Sequence, residues 1–150
     1  MKILANNKKA LFNYELIKDF EAGMVLLGWE VKAIKEGRAS IKEGFIDVVD
    51  GEVWLKGAHI NPFKQADKFA GVDEYRKRKL LLNREEITKL ATGQKIKGNT
   101  IVPLRIIHLR RRIKIIIALA KGMKKYYKRE KLQEKDLKRQ IDRDLKESRF

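Results

Sequence analysis

Between residue 11 and about residue 120 the chain breaks into short runs rich in Val, Ile, Leu and aromatic residues, separated by turn-forming residues. The first two runs, residues 11–18 and 24–34, place Phe12, Tyr14, Leu16, Val25, Leu27, Trp29 and Val31 at broadly alternate positions. Side chains alternate faces along a strand, so each run is expected to be a strand with one buried face. Residues 45–49 and 52–55 flank Asp50-Gly51, a pair that accepts the positive φ angles of a type I′ turn and predicts a tight hairpin. Two Ile- and Val-rich runs, residues 100–109 and 113–119, meet at Arg110-Arg111-Arg112. Three adjacent arginines have no place in a core, so they read as a second hairpin tip.

One segment follows helical chemistry instead. After the apolar residues 79–82, Asn83 stands three residues before Glu86, the spacing of a capping box. A helix over residues 84–91 is predicted, with Ile87, Leu90 and Ala91 as its narrow apolar stripe and Gly93 as a left-handed C-terminal cap. Residues 61–75, with Asn61-Pro62, Gly71 and mixed charges, read as a surface loop. The expectation is a mainly β domain of about five to seven strands with one or two peripheral helices. Such a pattern suits a small closed antiparallel barrel, the oligonucleotide-binding (OB) architecture among them, and equally a sandwich.

Composition narrows the partners. The chain of 150 residues is sized for one domain, and its 36 Lys and Arg against 20 Asp and Glu leave a formal charge of +16. That footprint suits phosphate polymers or anionic membranes. No apolar run reaches bilayer-spanning length, and residues 1–10 lack a signal peptide's apolar core, so a cytoplasmic protein without membrane attachment is expected. The absence of cysteine excludes disulfides, a thiol nucleophile and thiolate zinc sites, and two histidines leave little stock for a metal. No metal or other cofactor is expected.

After residue 120 the composition changes. Residues 121–150 hold twelve Lys and Arg and six Asp and Glu, with sparse apolar groups at Leu132, Leu137, Ile141 and Leu145. The last three are spaced by four, a thin stripe on a helix that buries too little to offset the entropy of ordering it. Two units follow: a folded domain over residues 1–120 and a flexible basic tail over residues 121–150, disordered or helical only on a partner.

The basic clusters are Lys8-Lys9, residues 76–79, Arg110 to Arg112, and residues 121–129, where Tyr126 and Tyr127 interleave with the lysines. Lysine and arginine supply phosphate contacts and aromatic faces stack on splayed bases, a combination that points to RNA. His59 and His108 have no companion nucleophile or second-ligand spacing and read as structural. On the predicted second strand Glu30 and Lys32 share one face, as an acceptor and donor pair for RNA or as a local salt bridge. A general RNA-binding OB module or small ribosomal protein fits the charge, and an RNA-modifying or cleaving enzyme would need an acid–base pair that these residues do not assemble.

Five blocks occur in order: Phe20-Glu21-Ala22-Gly23, Gly28-Trp29-Glu30-Val31-Lys32, His59-Ile60-Asn61-Pro62, Arg78-Lys79-Leu80-Leu81-Leu82-Asn83 and Ala120-Lys121-Gly122 before the basic tail. Together they resemble the SsrA-binding (small protein B) family over nearly the whole chain. The resemblance implies an OB-like β-barrel that catalyses nothing. It implies binding to the tRNA-like domain of tmRNA, entry with it into the A site of stalled ribosomes, and tagging of the nascent peptide in trans-translation. Elongation factor Tu would act indirectly, through tmRNA, and the protein is expected to be a monomer. Family determinants fall on Glu30, Leu81 and Asn83; Lys8, Lys9, Tyr14, Lys32, Arg78, Lys79, Arg110, Arg111 and Arg112 complete the expected RNA-binding set. Gly122, Lys124, Lys125, Tyr126, Lys128, Arg129, Ile141 and Leu145 are the expected ribosome-binding tail residues, near the decoding centre and mRNA channel. Met123, Tyr126 and Tyr127 depart from the family's tail pattern, and Tyr126 has no imidazole to protonate.

Overall fold

The computed structural model describes residues 1–62 and 72–122. The elements run β1 (Lys2–Asn6), α1 (Lys8–Asn13), β2 (Tyr14–Met24), α2 (Gly28–Lys35), β3 (Ala39–Ser40), β4 (Phe45–Val49), β5 (Glu52–Lys56), β6 (His59–Ile60), β7 (Arg78–Leu81), α3 (Arg84–Gln94), β8 (Asn99–Leu109) and β9 (Arg112–Gly122). The long apolar strands β8 and β9 pair along their whole length, from Asn99↔Lys121 to Leu109↔Arg112. On its other edge β8 meets β4 at Ile46↔Ile101 and β1 over Lys2–Asn6, while β9 continues to β2. The antiparallel order β8-β4-β5-β7-β2-β9 returns to β8, so the sheet closes on itself. The closed barrel is therefore the observed form, and the sandwich is set aside; closure leaves β4, β5 and β7 no open edge within the ring.

Inside the ring, Phe20, Ala22, Ile46, Val53, Leu55, Leu80, Ile101, Ile106, Ile115 and Ile117 form the core. A smaller apolar layer, Val102, Leu104, Ala118 and Ala120, lies on the outer side of β8 and β9 and is covered by Ala10 of α1. Asn7 fastens that cover. Its Oδ1 accepts the Ala10 N–H at 3.3 Å, capping α1, and its Nδ2 donates to the Pro103 carbonyl at 2.8 Å. Pro103 brings no N–H to the ladder and sits at the bulge where the β8–β9 register shifts.

The described residues hold nine strands and three helices, against the five to seven strands and one or two helices expected, and three further expectations change. Residues 24–34 do not form a strand: after Met24 the chain turns into α2, whose Glu30, Ala33 and Ile34 are buried at helical spacing, while Val25 and Leu27 are 46% and 48% exposed. The alternation of Val25, Leu27, Trp29 and Val31 coexists with a 3–4 periodicity, and the core selects the latter. Residues 11–13 likewise belong to α1, and the first strand of that run begins at Tyr14. Gly93 is not a left-handed cap, because α3 runs on to Gln94. Its role is closeness: a Cβ there would stand 2.4 Å from Leu119 Cδ2.

Other expectations stand. Asp50-Gly51 joins β4 to β5 with φ of 51° and 76°, the values of a type I′ turn. The second tip is placed as expected, and α3 opens with Glu86 accepting the Asn83 N–H at 3.2 Å. Lys121 and Gly122, assigned to the tail, are the last residues of β9. The remaining tail expectations, Lys124, Lys125, Tyr126, Lys128, Arg129, Ile141 and Leu145, and residues 63–71 of the loop lie outside the described residues.

Candidate nucleic-acid interface

Glu30 is not a surface acceptor, and its partner is not Lys32. On α2 rather than a strand, the two no longer alternate on one face. The Glu30 carboxylate is fully buried, where Oε1 accepts the Leu27 N–H at 2.8 Å and a hydrogen bond from Arg76, while Oε2 accepts from Arg78 Nε at 2.6 Å. Arg78 is buried as completely, and its remaining nitrogens donate to the Ala58 carbonyl at 3.0 Å and the Glu74 carbonyl at 3.2 Å. Burial pushes the Glu30 carboxyl up. The hydrogen bonds from Arg76, Leu27 and Arg78, with the Arg78 charge, outweigh it and hold the group below the usual carboxylate range. Two of the expected RNA-binding side chains are thus interior members of an Arg–Glu–Arg cluster that ties α2 to β7 and to the segment before it.

The exposed candidates gather elsewhere. A cleft of about 470 Å³ opens between α2, the ends of β2 and β7, and the β8–β9 tip. Its floor is apolar, made by Met24, Leu26, Val31, Leu81 and Ile113. Leu81 is 53% exposed, so its side chain is open to a partner. Gly23 is the opposite residue in the sheet, where a Cβ would make ordinary van der Waals contact with Leu81 Cβ at 3.4 Å. The rim is cationic: Lys35, Arg111, Arg112 and Lys114. Only Lys114 has an acidic partner among them in the described residues, Glu21 at 2.8 Å. An apolar floor under a rim of positive charge offers van der Waals surface to a base or sugar edge and charged donors to phosphates.

A second concavity of about 310 Å³ lies at the far end of β2, where Lys9 and Tyr14 line it with Asn13, Lys42 and Phe45. Lys9 is tied to Glu43 at 3.3 Å across the cleft's own wall. The remaining candidates are dispersed. Lys8 is exposed on α1, Lys32 is exposed on α2, and Asn83 is exposed at the start of α3, two residues from Leu81. Lys79 pairs with Glu52 at 3.3 Å, and neighbouring Lys77 lies over the Trp54 ring at 4.6 Å. His59 is held structurally, with Nε2 2.7 Å from Glu74 and its ring 4.8 Å from that of Tyr75. Sequence reading missed Lys35 and Lys114. Both were signalled by spacing, since Lys114 follows Arg112 at the two-residue period of a strand face and Lys35 follows Lys32 by about one helical turn. Among the described residues no cluster of three metal-ligating side chains occurs, and no helix is long and apolar enough to cross a membrane.

The comparisons with known proteins agree with this geometry. Residues 4–147 match the family model described as SmpB protein. The SsrA-binding protein of Sulfurihydrogenibium sp. is 50% identical over 145 residues, covering 97% of this chain and 95% of that protein. The SsrA-binding protein of Enterococcus hirae is 47% identical over 145 residues, covering 97% and 94%. A chain from the solved structure "tmRNA-SmpB: a journey to the center of the bacterial ribosome" superposes with a TM-score of 0.69 at 36% identity, covering 83% of this chain and 87% of its own. The family match over residues 4–147 and relatives at 47–50% identity over 97% of the chain place it in the SmpB family, the family of the SsrA-binding proteins.

Proposed function

We propose that the protein binds tmRNA and carries it to stalled ribosomes in trans-translation, with the Leu81 cleft as its principal RNA-contacting surface on the barrel. The observation that carries the reading is the convergence of exposed Leu81 with Arg111, Arg112 and Lys35 from three separate parts of the chain. The names of its relatives, the description of the solved tmRNA–SmpB structure and the charge of +16 support the choice of RNA. The protein acts by positioning RNA rather than transforming it, and it works in the cytoplasm. The basic segment after Gly122 engages the ribosome near the decoding centre and mRNA channel, while elongation factor Tu acts only through the tmRNA. Glu30 and Arg78 serve this surface indirectly, by fixing α2 against β7.

Recovery of the tagged protein from cells with sequencing of the bound RNA tests the reading: tmRNA should be strongly enriched over tRNA and rRNA. Uniform recovery of structured RNAs would establish a general RNA-binding module instead. A Leu81→Ala variant, which removes exposed rather than buried surface, should keep its melting temperature within about a degree. Its tmRNA affinity should fall about tenfold, and unchanged affinity would remove the cleft from the interface.

A further inference from the structure

The barrel builds the same two-residue turn twice. Between Val49 and Glu52 it uses Asp50-Gly51, with φ of 51° and 76°; between Leu109 and Arg112 it uses Arg110-Arg111, with φ of 50° and 65°. The first pair is the chemistry the turn favours, since Gly carries no Cβ and Asp tolerates the left-handed region. The second places two long side chains, each with a Cβ, in that same region, where a carbonyl crowds the Cβ of any L-residue other than glycine. Among the described residues these two arginines and Asp50 are the only non-glycine residues with positive φ.

Nothing in the described fold recovers that cost. Arg110, Arg111 and Arg112 are exposed, and within the described residues none has an acidic partner or a side-chain hydrogen bond. Three like charges on consecutive residues also repel one another. An Asn-Gly tip would hold the same register without strain and without repulsion. The side chains therefore answer to something outside the described fold. Arg111 and Arg112 face the cleft beside Lys35, and Arg110 extends the positive surface past its rim. A guanidinium presents a planar fork of donors matched to two phosphate oxygens, and the sharp turn holds two such forks on adjacent residues.

We propose that the Arg110-Arg111 turn is a phosphate-gripping finger for the RNA backbone, maintained against the backbone preference of the fold. The inference rests on the RNA-binding reading of the cleft and adds to it the chemical group recognised and the stability given up for it. The finger reads phosphates, whereas the apolar floor under Leu81 meets base or sugar. It contributes to affinity and to its salt dependence rather than to discrimination between sequences.

Two variants of the full chain test the proposal, R110N/R111G and R110K/R111K, each assayed for thermal melting and for binding to tmRNA across a salt series. R110N/R111G should melt several degrees above the parent and bind at least about tenfold more weakly at low salt. Its plot of log affinity against log salt should be shallower by about one to two, since each lost phosphate contact removes about 0.7 to 0.9 from the slope. R110K/R111K keeps the charge and the strained turn, so it should retain the parent's slope to within about half a unit and gain no melting temperature. Unchanged affinity and slope in R110N/R111G overturn the phosphate assignment, and a melting temperature no higher than the parent's overturns the claimed opposition to the fold. The same slopes measured on an unrelated structured RNA separate this proposal from the tmRNA reading. If the finger grips phosphate, R110N/R111G gives the shallower slope on both RNAs, even if the parent shows no preference for tmRNA.

Discussion

Glu30 Oε2 and Arg78 Nε lie 2.6 Å apart in the interior, and neither side chain exposes any surface. The pair joins α2 to β7, the strand that carries Leu81, so two charged residues from the sequence blocks singled out above are a joint in the scaffold beside the cleft. On the proposed reading, they bear on RNA through the placement of Leu81 and of α2's Lys35 and Val31.

Replacing Glu30 with Ala should therefore act first on stability. It leaves the Arg78 guanidinium buried without its counter-charge, and breaking a buried pair from one side costs about 3–5 kcal/mol. Urea denaturation of the variant should show a midpoint lowered by that loss divided by the slope, with the slope itself unchanged. RNA affinity should fall in step with the folded fraction. A variant that keeps its stability and loses RNA binding would instead mean that the carboxylate touches RNA.

The same carboxylate gives the fold an acid limit. Its pKa is lowered in the folded protein, whereas in the unfolded chain it titrates near the ordinary value of about 4.3. The folded state binds fewer protons at this group, so the stabilisation is fully present above about pH 5 and is lost as pH falls through the unfolded and then the folded value. Denaturation free energy measured from pH 7 to pH 3 should fall across that window. In Glu30→Gln the curve should start lower and lack this component, leaving only the shallower decline from other carboxylates such as Asp47, which Lys56 and Gln94 also hold low. A parallel decline in both proteins would show that Glu30 does not set the acid limit.

Much of the β body was legible because its signals are local. Asp50-Gly51 specifies its turn through its own φ angles, the β8 and β9 runs are dense in Ile and Val, and the Asn83–Glu86 spacing marks a helix start without tertiary help. What was missed depends on partners distant in sequence. Residues 24–34 satisfy both periodicities, and only the core that receives Ala33 and Ile34 decides between them. Glu30 looked like a strand-face acceptor because Arg76 and Arg78, 46 and 48 positions away, are not visible to a local reading. The cleft was legible in its parts, since Leu81 and the arginine tip were both singled out. Their convergence with Lys35 required the β2–β7 and β8–β9 pairings.

Gly93 offers a test of packing against propensity. Exchanging a helix-interior glycine for alanine gains up to about 1 kcal/mol of helix propensity, and less at Gly93, the next-to-last residue of α3. Here the new Cβ would fall 2.4 Å from Leu119 Cδ2 and 2.9 Å from Cδ1, so Leu119 must leave its rotamer or α3 must lift from β9. Overpacking of this kind costs about 1–3 kcal/mol, so Gly93→Ala should be destabilising by about 1 kcal/mol net. Leu119→Ala alone should also destabilise. In the double variant the clash disappears, and the total loss should be smaller than the sum of the two single losses by about 1 kcal/mol or more. Strict additivity in chemical denaturation would show that Leu119 yields freely and that Gly93 is not there for closeness.

The end of β9 at Gly122 decides how a tail deletion should be made. The ladder pairs Tyr14↔Gly122, Glu15↔Lys121 and Asn99↔Lys121, and the Gly122 N–H donates to the Gly98 carbonyl at 3.2 Å. A chain stopped after Gly122 keeps all of β9. It should melt within about two degrees of the full-length protein and retain tmRNA binding, while tagging of peptides on stalled ribosomes is lost. Its affinity should weaken modestly at low salt only, because the 28 residues removed carry eleven Lys and Arg against six Asp and Glu. A chain stopped after Ala120 loses backbone hydrogen bonds to both neighbouring strands, each contributing about 1 kcal/mol, and should melt several degrees lower. Equal melting of the two truncations would place the end of the folded unit before Lys121. Equal loss of tmRNA binding and tagging in the longer truncation would mean that the barrel and tail do not divide the work.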